Sequence, residues 1–199
     1  MKVLFIDHYD SFSFNLIDWL RKGSQCVEII RVPYDDPNLA TQFAKLDMPI
    51  IFSPGPKSPE DVQPSMTLLG DKLGLVPILG VCLGHQILGL TLGSRVVRAM
   101  RPFHGSQRRI TIDQTSIVFG ECEVLGASYN SLVLDKSLLP AEVITGTNDY
   151  SEVEMIEVNV GRWPAVGVQF HPESFMSEGM EALLEFWTQS VQNYYSSEL

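Results

Sequence analysis

The stretch Pro77-Ile78-Leu79-Gly80-Val81-Cys82-Leu83-Gly84-His85-Gln86 decides the fold. An apolar run from Leu75 to Val81 stops at a cysteine set between two glycines. Ile87, Leu88, Leu90 and Leu92 then follow at helical spacing until Gly93. This reads as strand, sharp turn and helix. Gly80-x-Cys82-x-Gly84 has the physics of a nucleophile elbow with sulfur in place of oxygen: a strained turn lifts the side chain out at the strand's carboxyl end. Glycines lack Cβ, so neighbouring backbone can come close. A cysteine here opens a helix, whose partial positive charge favours the reactive thiolate. A lone cysteine is also a common small buried hydrophobe, and this stretch alone leaves both readings open.

Upstream, residues 2–7 are apolar and β-prone and end at Asp7. The polar turn His8-Tyr9-Asp10-Ser11-Phe12-Ser13 follows, with a helix cap expected at Asp10 or Ser11. Phe14, Ile17, Trp19 and Leu20 keep roughly helical spacing up to Gly23, and Cys26 to Val32 reads as a second strand. Asp7, at a strand's end, reads either as a functional acid or, the commoner case, as one that caps the intervening helix. This β–α–β opening predicts a parallel sheet covered on both faces. Asp35 to Leu46 is expected to form a weak helix, Met48 to Ser53 a short strand and residues 64–73 another helix. The loop Pro54-Gly55-Pro56-Lys57-Ser58-Pro59 is stiffened by its prolines, while Gly55 supplies backbone freedom. Rigid loops at the carboxyl ends of sheet strands are where α/β proteins handle ligands.

Beyond Gly93 the pattern changes. Val96-Val97, Arg108 to Ile112, Ser116 to Phe119, Glu121 to Leu125, Val143-Ile144, Glu154 to Val160 and Ala165 to Phe170 alternate or run apolar between turn residues. They predict an antiparallel or mixed part of the same sheet. Met180 to Trp187 is amphipathic and helical. No linker, repeat or low-complexity tract interrupts the chain, so one domain over residues 1–199 is expected. The fold class is α/β, with a central, mostly parallel (mixed) sheet, helices on both faces and a nucleophile elbow.

Composition narrows the function. The formal net charge is -10, and no Lys/Arg block is longer than a pair such as Arg108-Arg109, which argues against sequence-independent nucleic-acid binding. No apolar run approaches the ~18 residues of a membrane span. Cys26, Cys82 and Cys122 are odd in number and widely spaced, suiting neither a metal site nor a disulfide framework and fitting a reducing cytoplasm. The apolar start at residues 2–7 is too short for a secretory leader.

A cysteine nucleophile needs a base, and the base an orienting partner. The histidines are His8, His85, His104 and His171. His85 lies on the first helical turn after the cysteine, where its ring is expected to point away from the thiol. His8 falls in the polar turn after the first strand, and His104 in Arg101-Pro102-Phe103-His104-Gly105. His171 ends the run Val166-Gly167-Val168-Gln169-Phe170 and is followed by Pro172-Glu173. A histidine just past a strand end, with a carboxylate two residues on, is the best-placed base, and Glu173 can hold its far nitrogen. The residues point to Cys82, His171 and Glu173 as nucleophile, base and orienter.

Gly80-Val81-Cys82-Leu83-Gly84-His85-Gln86, together with Gly167-Val168-Gln169-Phe170-His171-Pro172-Glu173-Ser174, resembles the class I (triad-type) glutamine amidotransferases. Ile6-Asp7-His8-Tyr9-Asp10-Ser11-Phe12, Ser53-Pro54-Gly55-Pro56 and Tyr129-Asn130-Ser131-Leu132 narrow the resemblance to the glutaminase subunits of anthranilate synthase and aminodeoxychorismate synthase. It spans nearly the whole chain, with its motifs in the expected order. The resemblance implies that Cys82 attacks the side-chain amide of L-glutamine, that His171 moves the proton and that Glu173 orients His171. It implies an oxyanion hole from the backbone N–H groups of Gly55 and Leu83 and a glutamine site at Gly55, Pro56, Lys57, Gln86, Ser131 and Leu132. It further implies ammonia delivery to a chorismate-binding synthase subunit, with no metal or cofactor in this chain. The usual family pattern has Asn where His8 stands, Gly where Lys57 stands, Lys where Ser106 stands and His where Asn130 stands; none of these departures touches the triad. Two other functions use the same residues: a non-catalytic regulatory subunit of this fold, and a partner-independent cysteine hydrolase of γ-glutamyl peptides.

Overall fold

Along strand β1 (Lys2–Asp7), Val3 and Phe5 face one side and Leu4 and Ile6 the other, and all four are fully buried. Both faces of the sheet must therefore be covered. In the computed structural model, which describes residues 1–24, 27–39, 41–102 and 105–197, they are. The chain continues through α1 (Ser13–Gly23), β2 (Glu28–Pro33), β3 (Ile50–Phe52), α2 (Gln63–Lys72), β4 (Ile78–Val81) and α3 (Leu83–Thr91). There follow β5 (Val96–Arg98), β6 (Ser106–Ile112), β7 (Cys122–Ser128), β8 (Leu132–Leu134), β9 (Ile144–Asn148), β10 (Val153–Val158), β11 (Ala165–Val168) and α4 (Glu181–Ser196).

Nine strands form one sheet in the order β2-β1-β3-β4-β11-β10-β9-β6-β7. From β2 to β11 each neighbouring pair is parallel; from β11 to β7 each pair is antiparallel. The architecture is α/β with a mixed sheet, as expected. On one face Leu16, Ile17 and Leu20 of α1 and Leu183, Trp187 and Val191 of α4 pack against Val3, Phe5 and Leu79. On the other, Leu68 and Leu69 of α2 and Leu83, Ile87 and Leu88 of α3 cover Leu4, Ile6 and Ile78. Among the described residues no helix is long and apolar enough to cross a membrane.

Several local expectations need correction. Among its described residues, Asp35 to Leu46 is not a helix but turns with one 3-10 turn at Phe43–Lys45. The Asp36 carboxylate accepts the Asn38 N–H at 2.7 Å, a local bond that competes with helix formation, and Pro37 adds a second obstacle. Ser116 to Phe119 is a turn, since the Ser116 hydroxyl oxygen accepts the N–H groups of Val118 and Phe119 while donating to Glu157. Val96-Val97 does not join the main sheet; β5 pairs antiparallel with β8, a strand the apolar pattern did not reveal, as a separate ribbon. Neither Asp10 nor Ser11 caps α1: Phe12 holds that position without a side-chain bond, and Asp10 instead accepts the Phe12 N–H at 2.8 Å. Asp7 does tether the start of α1, accepting from the Ser13 hydroxyl at 2.7 Å while pairing with Arg31 on β2. Cys26 and His104 lie outside the described residues.

Candidate active site

Because β1, β3, β4 and β11 are adjacent and parallel, their carboxyl ends open at one edge of the sheet. The segments leaving them there are His8, the loop Ser53–Lys57, Cys82 and Gln169–Glu173. Ligand sites of α/β sheets lie at such edges.

Cys82 is the turn itself. Its φ of 52° and ψ of -99° fall where non-glycine residues are strained. The surroundings hold it there: the Cys82 N–H donates to the Val168 carbonyl at 2.8 Å, and the Gln86 N–H donates to the Cys82 carbonyl at 3.1 Å. The flanking glycines are steric necessities. A Cβ on Gly80 would stand 2.5 Å from the Gly84 carbonyl oxygen, and one on Gly84 would stand 2.8 Å from Phe52 Cβ and closer still to the Phe52 carbonyl oxygen.

The His171 ring lies near enough to Cys82 for the sulfur to favour its charged form, and its Nδ1 donates to Glu173 Oε1 at 2.7 Å. Both side chains of this His–Glu pair are buried. The backbone is fixed as well: His171 N–H donates to the Ala127 carbonyl at 2.9 Å, and the Ser177 hydroxyl donates to the His171 carbonyl at 2.6 Å. Phe12 and Tyr129 flank the imidazole, with ring centroids 5.3 and 5.0 Å away. Burial opposes the imidazolium, but its interactions with Cys82 and Glu173 outweigh it and hold His171 well above the usual histidine range. A cysteine, a base and an orienting acid from distant parts of the chain thus meet.

Cys82 lines a cleft of about 190 Å³ together with Gly55, Pro56, Lys57, Gln86, Ser131 and Leu132. That is below the ~300–1,000 Å³ common for drug-sized ligands and suits a molecule of amino-acid size. Leu83 opens α3, so its N–H is among those with no acceptor inside the helix. Gly55 lies against the Leu83 side chain: a Cβ on Gly55 would come within 2.6 Å of both Leu83 Cδ2 and His8 Cβ.

Of the positions that depart from the family pattern, Lys57 and Asn130 line this cleft and His8 lies against Gly55. The buried His8 ring donates Nδ1–H to the Ser53 carbonyl at 3.1 Å and accepts from the Ser65 hydroxyl at Nε2, 2.9 Å away. Burial drives its pKa down to about 4, so the ring is neutral, and the carbonyl acceptor at Ser53 assigns its one proton to Nδ1. His8 thus props the proline loop against α2. The Lys57 ammonium lies 5.2 Å above the Tyr34 ring, which itself stacks on His8. Asn130 Nδ2 donates to the Leu132 carbonyl at 2.9 Å, and Ser106 pairs with Ser128 between β6 and β7.

His85 is fully buried and its ring presses on Gly167, away from the sulfur as expected. Burial lowers its pKa to about 4, against a smaller opposing effect of the Gly167 backbone, which lies outside good hydrogen-bond geometry. The sequence reading missed Gln169. This fully buried residue donates Nε2–H to Cys82 Sγ at 3.6 Å and accepts Gln86 Nε2–H at 3.0 Å. Among the described residues no group of three His, Cys, Asp or Glu side chains could hold a metal ion.

Comparison with known proteins gives concordant results. The family described as glutamine amidotransferase class-I matches residues 4–189. The Aminodeoxychorismate/anthranilate synthase component 2 of Bacillus subtilis is 37% identical over 187 residues, covering 92% of this chain and 94% of the relative. The Bifunctional protein TrpGD of Thermotoga maritima is 35% identical over 89% of this chain, which spans 30% of that longer protein. In three dimensions, a Thermoplasma acidophilum crystal structure provisionally assigned to GMP synthase matches all of this chain and 97% of its own with a TM-score of 0.81. At 19% identity it supports the fold alone.

Proposed function

The chain belongs to the class-I glutamine amidotransferase family, and from that premise we propose that it is the glutaminase subunit of a chorismate-using synthase complex in the cytoplasm, built as one domain over residues 1–199. The observation that carries this reading is the placement of Cys82 close enough to the His171–Glu173 pair to favour the imidazolium, beside a cleft lined by Gly55, Gln86 and Leu132.

In the proposed reaction His171 takes the thiol proton as Cys82 Sγ bonds to the side-chain carbonyl carbon of L-glutamine. The Gly55 and Leu83 N–H groups bind the oxyanion. His171 then returns the proton to departing ammonia, leaving a γ-glutamyl thioester, and Glu173 keeps the ring oriented throughout. Water, deprotonated by His171, cleaves the thioester to glutamate and restores the thiol. Pro56, Lys57, Gln86, Ser131 and Leu132 hold the substrate. Each step uses protein groups and water. Ammonia passes to a synthase subunit that makes anthranilate or 4-amino-4-deoxychorismate; the double name of the Bacillus subtilis relative supports a partner of this class.

The test is glutamate release from L-glutamine, measured with the chain alone and mixed with chorismate and a candidate synthase subunit. Release that rises with the synthase is the expected result. No release in either condition would favour a non-catalytic regulatory subunit. Strong turnover of γ-glutamyl peptides by the isolated chain would favour the partner-independent hydrolase.

A further inference from the structure

Gln169 sits beside the nucleophile because of sheet register. In the parallel pair β11–β4, Val168 aligns with Val81, so the next residue on each strand is Gln169 on one side and Cys82 on the other. The backbone is pinned at that point, with Gln169 N–H donating to the Glu154 carbonyl at 2.8 Å. The side chain is fully buried, so its amide must take its partners from the protein.

Those partners leave one orientation. The Leu132 carbonyl can only accept, and the Gln86 amide reaches it at 3.1 Å, so the contacting atom of Gln86 is its nitrogen. The same Gln86 nitrogen lies 3.0 Å from the Gln169 side chain, which must therefore present its oxygen. The Gln169 nitrogen is then turned to Cys82 Sγ, 3.6 Å away. A backbone carbonyl on β8 thus fixes, through two glutamines in series, which end of the Gln169 amide meets the sulfur. Among the described residues the titratable groups near the sulfur are His171 from beyond β11, backed by Glu173, with Lys57 and Tyr129 lining the same cleft; His85 on α3 makes no bond to it.

We propose that Gln169 is a further catalytic residue, an N–H donor that stabilises negative charge on Cys82 Sγ and is aimed by the substrate-site residue Gln86. His171 supplies the charged partner for the sulfur; Gln169 supplies a neutral, directional one. Charge-assisted hydrogen bonds are stronger than neutral ones, so the contact strengthens as the thiol becomes thiolate and weakens once the sulfur is acylated. It acts on the reactive sulfur before glutamine arrives. This inference rests on the glutaminase reading for its place in the reaction, but its test needs no glutamine.

The test is the rate at which Cys82 displaces iodide from iodoacetamide, followed by peptide mapping, with Cys122 in the same sample as reference. Gln169→Met removes the donor, and Gln169→Glu replaces it with an oxygen at the same length. Both should slow Cys82 alkylation at pH 7 by roughly tenfold to a hundredfold, the range a hydrogen bond to a charged group carries. The deficit should close at pH 9.5, where thiols ionise without help, and Cys122 should react as in the unaltered chain. Cys82 rates within twofold of the unaltered chain at pH 7 would overturn the proposal. So would a deficit of equal size at both pH values, which marks a packing defect. If the Gln169 variants do not fold, Gln86→Leu leaves Gln169 in place but unaimed: slower Cys82 alkylation at pH 7 supports the proposal, and an unchanged rate overturns it.

Discussion

Cys82 and His171 are useful to each other only as a pair. In the proposed reaction the thiol needs somewhere to send its proton, and the imidazole that takes it, whose charged form Cys82 and Glu173 favour, needs a leaving group to return it to. Cys82→Ala should abolish glutamine-dependent synthesis in the assembled complex yet leave synthesis from added ammonia intact, because the partner's chemistry is separate; parallel product assays on the two nitrogen sources check this. His171→Asn should slow thioester formation by about 10²–10⁴-fold, the weight of a positioned general base, as read by single-turnover glutamate release. Both residues were legible from sequence because each carries a local mark: Cys82 stands between two glycines, and His171 follows an apolar run with an acid two positions on. Gln169 carries none. A glutamine within Val166–Phe170 looks like any polar interruption of a strand, and its meeting with Cys82 depends on register between strands far apart in the chain.

At the scale of elements, the β4–elbow–α3 unit depends on close backbone packing. α3 can follow β4 so sharply only because Gly84 lets the helix touch the Phe52 end of β3. Gly84→Ala should force α3 from β3, costing about 1–3 kcal/mol as overpacking does and displacing the Leu83 N–H from the sulfur. Urea unfolding should show the lower midpoint, and glutamine hydrolysis should fall even where the protein stays folded. An unchanged midpoint and rate would mean that β3 and α3 separate freely. This unit and β1–α1 were readable because hydrophobic periodicity and glycine punctuation agree there. Asp35 to Leu46 was misread because side-chain-to-backbone bonds at Asp36 override a weak helical pattern. β8 was missed because a three-residue strand has too little alternation to register.

Across the whole molecule, the converging carboxyl ends of β1, β3, β4 and β11 make the site, and the same convergence buries histidines of opposite habit. α/β architecture was legible from the apolar, doubly covered strands, whereas the order in which the later strands join the sheet was not, since alternation specifies a face and not a neighbour. His8 and His85 are buried neutral, each with a pKa lowered to about 4 chiefly by desolvation, against 6.5 for an ordinary histidine. Between pH 6.5 and 4 the unfolded chain therefore takes up protons that the folded one refuses, and stability falls as pH falls. Each ring contributes up to about 3 kcal/mol over that window. His171 has the opposite sign: its raised pKa adds stability that is fully present below about pH 6.5 and is lost as pH rises through the folded-state value. Chemical unfolding between pH 7.5 and 4.5 should thus show falling stability on the acid side, steeper than one histidine alone produces. His85→Met, which removes one of the refusing rings without touching the cleft, should flatten the slope by up to about 1.4 kcal/mol per pH unit, the value of one proton. A slope unchanged in that variant would mean that His85 is protonated in the folded protein. The same experiment on His171→Asn, extended to alkaline pH, should leave the acid limb in place and remove the loss of stability as pH rises above about 6.5.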